Sequence, residues 1–124
     1  MYLLDTNVVS EIRKINLGKA DTNVKIWANQ TDTATLFISV ITLMELELGV
    51  LLAERKDRRK GGVLRKWLDL QVRPAFAGRT LPVDEKVAVR SAFLHVHDPK
   101  PFRDCLIAAT SLVNDLTYKK CQGF

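Results

Sequence analysis

Four short apolar runs, each followed or stopped by polar or turn-forming residues, constrain this chain more than any other feature. Tyr2, Leu3 and Leu4 end at Asp5, Thr6 and Asn7; Leu36 to Val40 opens into a long helical pattern; Thr80 to Val83 follows Gly78; Thr117 and Tyr118 begin the last run. The intervening segments have helical spacing. Val8, Val9 and Ile12 follow the first run, and Val24, Ile26 and Trp27 lie in a helix over 21–30 capped by Asp21 or Thr22. A long helix spans 42–55, another carries Val87, Ala88, Ala92, Phe93 and Leu94 behind an Asp84 cap, and a third covers 103–116 after Pro99 and Pro101. Strands alternating with helices need crossover connections, which make the sheet parallel and lay helices on both faces. The expected class is α/β, a three-layer α/β/α sandwich around a short, mainly parallel central sheet.

Residues 56–62 are charged and end in glycine, so they read as the turn of a helical hairpin. The returning helix carries Leu64, Trp67, Leu68 and Leu70 and ends at Pro74 and Gly78. No repeat or linker interrupts the pattern, and 124 residues suit one domain over 1–124, with the segment 117–124 atypical or truncated.

The chain is 47% hydrophobic and 27% charged, a balance of globular proteins rather than disordered ones. The charge-free run from Cys105 to Asn114 is about half of a bilayer crossing, and strand-like residues stand at the start where a signal peptide would be. A cytoplasmic protein without a membrane partner is expected. Cys105 and Cys121 lack metal-ligand spacing and read as reduced and structural. The formal charge of +5 favours a polyanionic partner.

Three acids in separate segments are candidates for one site. Asp5 ends the first strand, where parallel sheets bind ligands, although capping the first helix is an equally good reading. Glu45 lies early in the long helix; Glu47 has comparable apolar neighbours three and four positions away, so periodicity leaves the two unresolved. Asp104 opens a helix whose next residues are apolar on every side, which predicts all-round burial and an acid in need of a partner, the alternative being a partly exposed aspartate at the helix N-terminus. Three carboxylates around a hard cation such as Mg²⁺ would polarise a phosphoryl oxygen and activate water against a phosphodiester. That chemistry by itself separates RNA from DNA only poorly.

The segments Leu3-Leu4-Asp5-Thr6-Asn7-Val8-Val9-Ser10-Glu11, Ser39-Val40-Ile41-Thr42-Leu43-Met44-Glu45-Leu46 and Arg103-Asp104-Cys105-Leu106-Ile107-Ala108-Ala109-Thr110 carry a resemblance. In order and spacing they resemble the PIN-domain family, specifically VapC-type toxins of toxin–antitoxin pairs and their FitB-like, plasmid-stability branch. The likeness runs from residue 1 to about residue 117. It implies a PIN-like sandwich and a Mg²⁺- or Mn²⁺-dependent endoribonuclease, usually a homodimer, restrained by a small antitoxin. Asp5, Glu45 and Asp104 match the family's metal-binding, catalytic acids, and Thr6 matches a supporting hydroxyl, with a capping role still open to it. The resemblance selects Glu45 over Glu47. Family members continue through a last strand to a fourth acid, whereas no acid follows Asp115 here and Gly123-Phe124 stands where an Asp-Phe pair is usual. The competing expectation is therefore a degenerate PIN module that binds antitoxin or RNA without cutting.

His95 and His97, two apart in a helix, face different ways and do not read as a zinc pair. Lys56, Arg58, Arg59 and Lys60 read either as a solvated hairpin tip or as contacts to RNA phosphates. Trp27 and Trp67 read as core or dimer-interface anchors.

Overall fold

The computed structural model describes residues 1–121. In chain order it contains β1 (Tyr2–Leu4), α1 (Thr6–Arg13), α2 (Thr22–Gln30), β2 (Leu36–Ser39), α3 (Val40–Lys56) and α4 (Arg58–Trp67). A π-helical turn, Leu68–Val72, leads into the short α5 (Arg73–Ala75), followed by β3 (Thr80–Leu81), α6 (Glu85–His97), α7 (Phe102–Val113) and β4 (Thr117–Lys119).

Among the described residues the strands form one sheet in the order β3-β2-β1-β4, with every neighbouring pair parallel. Tyr2 pairs with Leu36 on one side of β1 and with Thr117 on the other. Successive strand residues point to opposite faces, and Leu3 and Leu4 are both 0% exposed, so helices cover both faces. Leu4 belongs to a core with Val8, Val9, Ile38, Leu46 and Leu68, against which Trp27 and Trp67 pack half-buried. The α/β/α expectation and the core reading of the two tryptophans hold.

Element ends follow local chemistry. Asp21 caps α2 by accepting hydrogen bonds from the Asn23 and Val24 N–H groups, and Asp84 caps α6 through the Val87 N–H. The long helix starts at Val40, two residues earlier than its spacing suggests, because the Ser39 hydroxyl accepts the Ile41 N–H. β3 stops at Leu81 because Pro82 has no N–H for the ladder. The helix over 103–116 ends at Val113; Asp115, with φ 58°, turns the chain in a left-handed conformation that a short polar side chain tolerates.

The hairpin differs from its expectation. Its turn is Asp57 alone, whose carboxylate accepts from the Arg59 and Lys60 N–H groups, so Arg58 to Gly62 are helical. Gly61 permits this tight return, since a Cβ there would lie 2.5 Å from the Glu54 Cα. Arg65 then joins the two helices, donating to Glu47 at 2.8 and 2.6 Å and to Glu54 at 3.1 Å.

Candidate active site

The strand order reverses beside β1, so the crevice at the carboxyl ends of β1 and β4 is where an open parallel sheet receives a ligand. Asp5 follows β1 there, and its N–H donates to the Lys119 carbonyl at 2.9 Å. It occupies the N-cap position of α1, yet its side chain makes no capping hydrogen bond. Instead, Asp5 Oδ1 accepts a 3.2 Å hydrogen bond from the Tyr118 hydroxyl. The capping alternative is thereby removed for the carboxylate, which faces the crevice.

Glu45 reaches the same place from α3. Thr6 Oγ1 donates to Glu45 Oε1 at 2.7 Å, and the Arg103 guanidinium stands 3.7 Å from Glu45 Oε2. Thr6 Oγ1 also lies 3.2 Å from Thr42 Oγ1. With the one Thr6 proton committed to the carboxylate, the buried Thr42 hydroxyl supplies the proton of that contact. Glu47 instead belongs to the Arg65 cluster, which holds its carboxyl below the usual carboxylate range, mainly through the hydrogen bond. Tertiary packing thus separates two glutamates that periodicity leaves equivalent.

Asp104 lies in the first turn of α7 and is exposed. The helix is enclosed along its middle, where Cys105, Ile107, Ala109, Thr110 and Ser111 are buried around its circumference, but not at its ends, since Phe102 is 72% and Leu112 50% exposed. The enclosure stops short of Asp104 and does not oblige it to find a partner; what brings Asp104 to the others is position.

Asp5, Glu45 and Asp104 line one cavity of about 220 Å³ together with Thr6, Tyr118 and Lys120. Their fields converge on the Tyr118 phenol, whose pKa is driven upward by burial first, then by Asp5, with Asp104 and Glu45 adding to it. The phenol therefore stays protonated and remains a donor to Asp5. Among the described residues, no group of three or more His, Cys, Asp or Glu side chains is disposed to hold a metal ion. The acids share a cavity without forming a closed ligand shell. Their chemistry nonetheless suits a hard divalent cation, which takes oxygen donors, keeps several waters and needs only one or two carboxylates directly.

Sequence reasoning missed Tyr118, Lys120 and Arg103. The signal for Tyr118 lay in the sheet, since only the pairing of Leu3 with Tyr118 sets the last strand beside Asp5. His95 and His97 stack separately, on Phe102 at 4.6 Å and Phe93 at 4.2 Å, as their spacing predicts. Both cysteines are free, but Cys121 is exposed and so has no structural role in the core; only Cys105 fits that reading. Gly123 and Phe124, which stand where the family's Asp-Phe pair is usual, lie outside the described residues. No helix among the described residues is long and apolar enough to cross a membrane.

Comparison with known proteins agrees with this fold. Residues 2–118 match the PIN domain family. The chain is 37% identical over 123 residues to Toxin FitB of Neisseria gonorrhoeae, covering 94% of this chain and 84% of that one. It is 42% identical over 71 residues to Ribonuclease VapC14 of Mycobacterium tuberculosis, covering 57% and 66%. The crystal structure of FitAcB from Neisseria gonorrhoeae superposes with a TM-score of 0.83 at 36% identity, covering 95% of this chain and 85% of that one. A family match over nearly the whole chain, with a relative 37% identical across 94% of it, settles the assignment: the chain belongs to the PIN-domain family, in the branch that includes FitB.

Proposed function

We propose that the protein is a divalent-metal-dependent endoribonuclease and the toxin of a toxin–antitoxin pair, working as a homodimer restrained by a small antitoxin. The observation that carries the reading is the gathering of three carboxylates from three elements in one cavity at the sheet's switch point. Names of relatives support it, since one is called a toxin and another a ribonuclease. The net positive charge suits a polyanionic substrate around an acidic site.

In this reading Asp5, Glu45 and Asp104 hold Mg²⁺ or Mn²⁺, which when bound supplies Lewis-acid polarisation of the phosphoryl group and a water of lowered pKa. Thr6 fixes Glu45 through Oε1 and Tyr118 fixes Asp5 through Oδ1, while Glu45 Oε2 stands 3.7 Å from the Arg103 guanidinium. Arg103 and Lys120 offer positive charge to the incoming phosphate.

Incubating the purified protein with RNA and Mg²⁺ or Mn²⁺ tests this directly. Cleavage should require the metal, stop with a chelator and be lost in Asp5→Asn. Cleavage that survives Asp5→Asn would overturn the assignment. A second reading, a module that binds without cutting, is favoured by one observation: the acids as they stand form no ready metal cage among the described residues. Induced expression separates the two, because growth arrest abolished by Asp104→Asn requires cutting, and arrest indifferent to it does not.

A further inference from the structure

The hairpin tip holds most of the molecule's excess charge. Residues 55–60 contain five cations, Arg55, Lys56, Arg58, Arg59 and Lys60, against one acid, Asp57; five less one is four of the chain's five net positive charges. All five cations are exposed, and none takes part in an ion pair among the described residues. The nearby acids are committed elsewhere. Asp57 caps α4 and Glu54 pairs with Arg65, which also holds Glu47 and Asp69.

Arg58, Arg59 and Lys60 occupy the first turn of α4, where the helix dipole disfavours cations and where no acid stands. Their placement therefore gives no benefit to the fold. The tip is also held firmly, because Gly61 brings α4 against the backbone of Glu54. A fixed, uncompensated basic cluster suits phosphates that arrive from outside. Its distance from the cavity follows from the helix: Glu45 and Lys56 are eleven residues apart on α3, about 16 Å at 1.5 Å per residue. That span corresponds to roughly five nucleotides of a stacked strand at about 3.4 Å each.

We propose that the tip of the α3–α4 hairpin is a second contact for the phosphate backbone of single-stranded RNA, engaging nucleotides roughly five or more positions from the bond held at the acidic cavity. The proposal rests on the RNA-cleaving reading above and extends it to a substrate footprint. Acidic proteins can bind such clusters too, but RNA is the partner already implied by the cavity on the same helix.

The test measures binding of labelled oligouridine of about 4 and about 14 nucleotides by fluorescence anisotropy over a range of KCl, with Ca²⁺ in place of Mg²⁺ so that the cavity keeps a divalent cation while cleavage is suppressed. The variant Arg58→Gln/Arg59→Gln/Lys60→Gln should bind the long oligonucleotide at least tenfold more weakly at low salt. At about 0.7 per phosphate contact on a single strand, losing three contacts lowers its salt slope by about 2. The short oligonucleotide should bind as before, which also shows that the variant is folded. The charge-preserving Arg58→Lys/Arg59→Lys/Lys60→Arg should retain the long-RNA affinity. Unchanged long-RNA binding, or equal weakening for both lengths, would overturn the proposal, as would an unchanged RNA slope with weakened binding of polyglutamate. Intact metal-dependent cleavage with no length effect defeats this proposal alone, whereas absence of cleavage by the unmodified protein defeats the reading beneath it.

Discussion

Thr6 donates a 2.7 Å hydrogen bond to Glu45 across 39 positions of sequence, joining the first turn of α1 to the helix that follows β2. The residue after the strand-end aspartate thus orients the carboxylate of another element. Because Glu45 is only 22% exposed, this bond acts in a partly desolvated place where charge-assisted hydrogen bonds are strong.

Thr6→Val keeps the shape and removes the donor. Cleavage of RNA should fall roughly tenfold, the equivalent of ~1.4 kcal/mol in barrier, and Thr6→Ser should restore most of it. Comparing kcat and KM for the two variants checks this; equal rates for Val and Ser would show that the hydroxyl does not orient Glu45.

Tyr118→Phe removes the donor to Asp5 and a titrating group in one step. The phenol pKa is raised in the folded protein, so its contribution to stability is complete below the ordinary phenol value of about 10 and is lost as pH rises beyond it. Denaturant melts between neutral pH and pH 11 should show a steeper alkaline loss for the unmodified protein than for the variant. Parallel curves would contradict the buried, acid-facing phenol.

The two glycines of α4 should respond in opposite directions. Gly61→Ala sets a Cβ against the Glu54 backbone and should cost about 1–3 kcal/mol. Nothing lies within 4 Å of a Cβ at Gly62, so Gly62→Ala should gain roughly 0.5–1 kcal/mol from helix propensity alone. Urea denaturation of the pair resolves the difference.

Arg65 gives the hairpin an acid-sensitive tie. Its hydrogen bond lowers the Glu47 pKa, so the stabilisation is present above the unfolded carboxylate value of about 4.3 and disappears as pH falls through the lower folded value. Glu47 is 39% exposed and solvent screens the pair, so the effect is modest. Arg65→Gln should lower Tm at neutral pH and flatten its dependence in acid; an unchanged acid limb would show that the pair does not stabilise the fold.

Much of this architecture is legible in one dimension because its signals are local. A strand such as Tyr2–Leu4 announces itself by unbroken apolar residues, and Asp21 and Asp84 mark helix starts because a carboxylate needs only the next few amides to form a cap. The same local signal misleads at residues 56–62, where charge reads as loop although Asp57 caps a helix that runs through both glycines. Asp104 shows a further limit, since the burial of the helix that it opens does not extend to its first turn.

The sequence by itself determined the alternation of strands and helices, the parallel sheet and, through three motifs, the candidate acids Asp5, Glu45 and Asp104. Only the tertiary structure decided how they act together: that Asp5 is held by Tyr118 and spends nothing on capping, that Glu45 bonds to Thr6 while Glu47 serves Arg65, and that Asp104 is exposed. The physical reason is range. Periodicity and capping depend on residues within about a helical turn, whereas the bond between Asp5 and Tyr118 joins positions 113 residues apart, brought side by side by strand register.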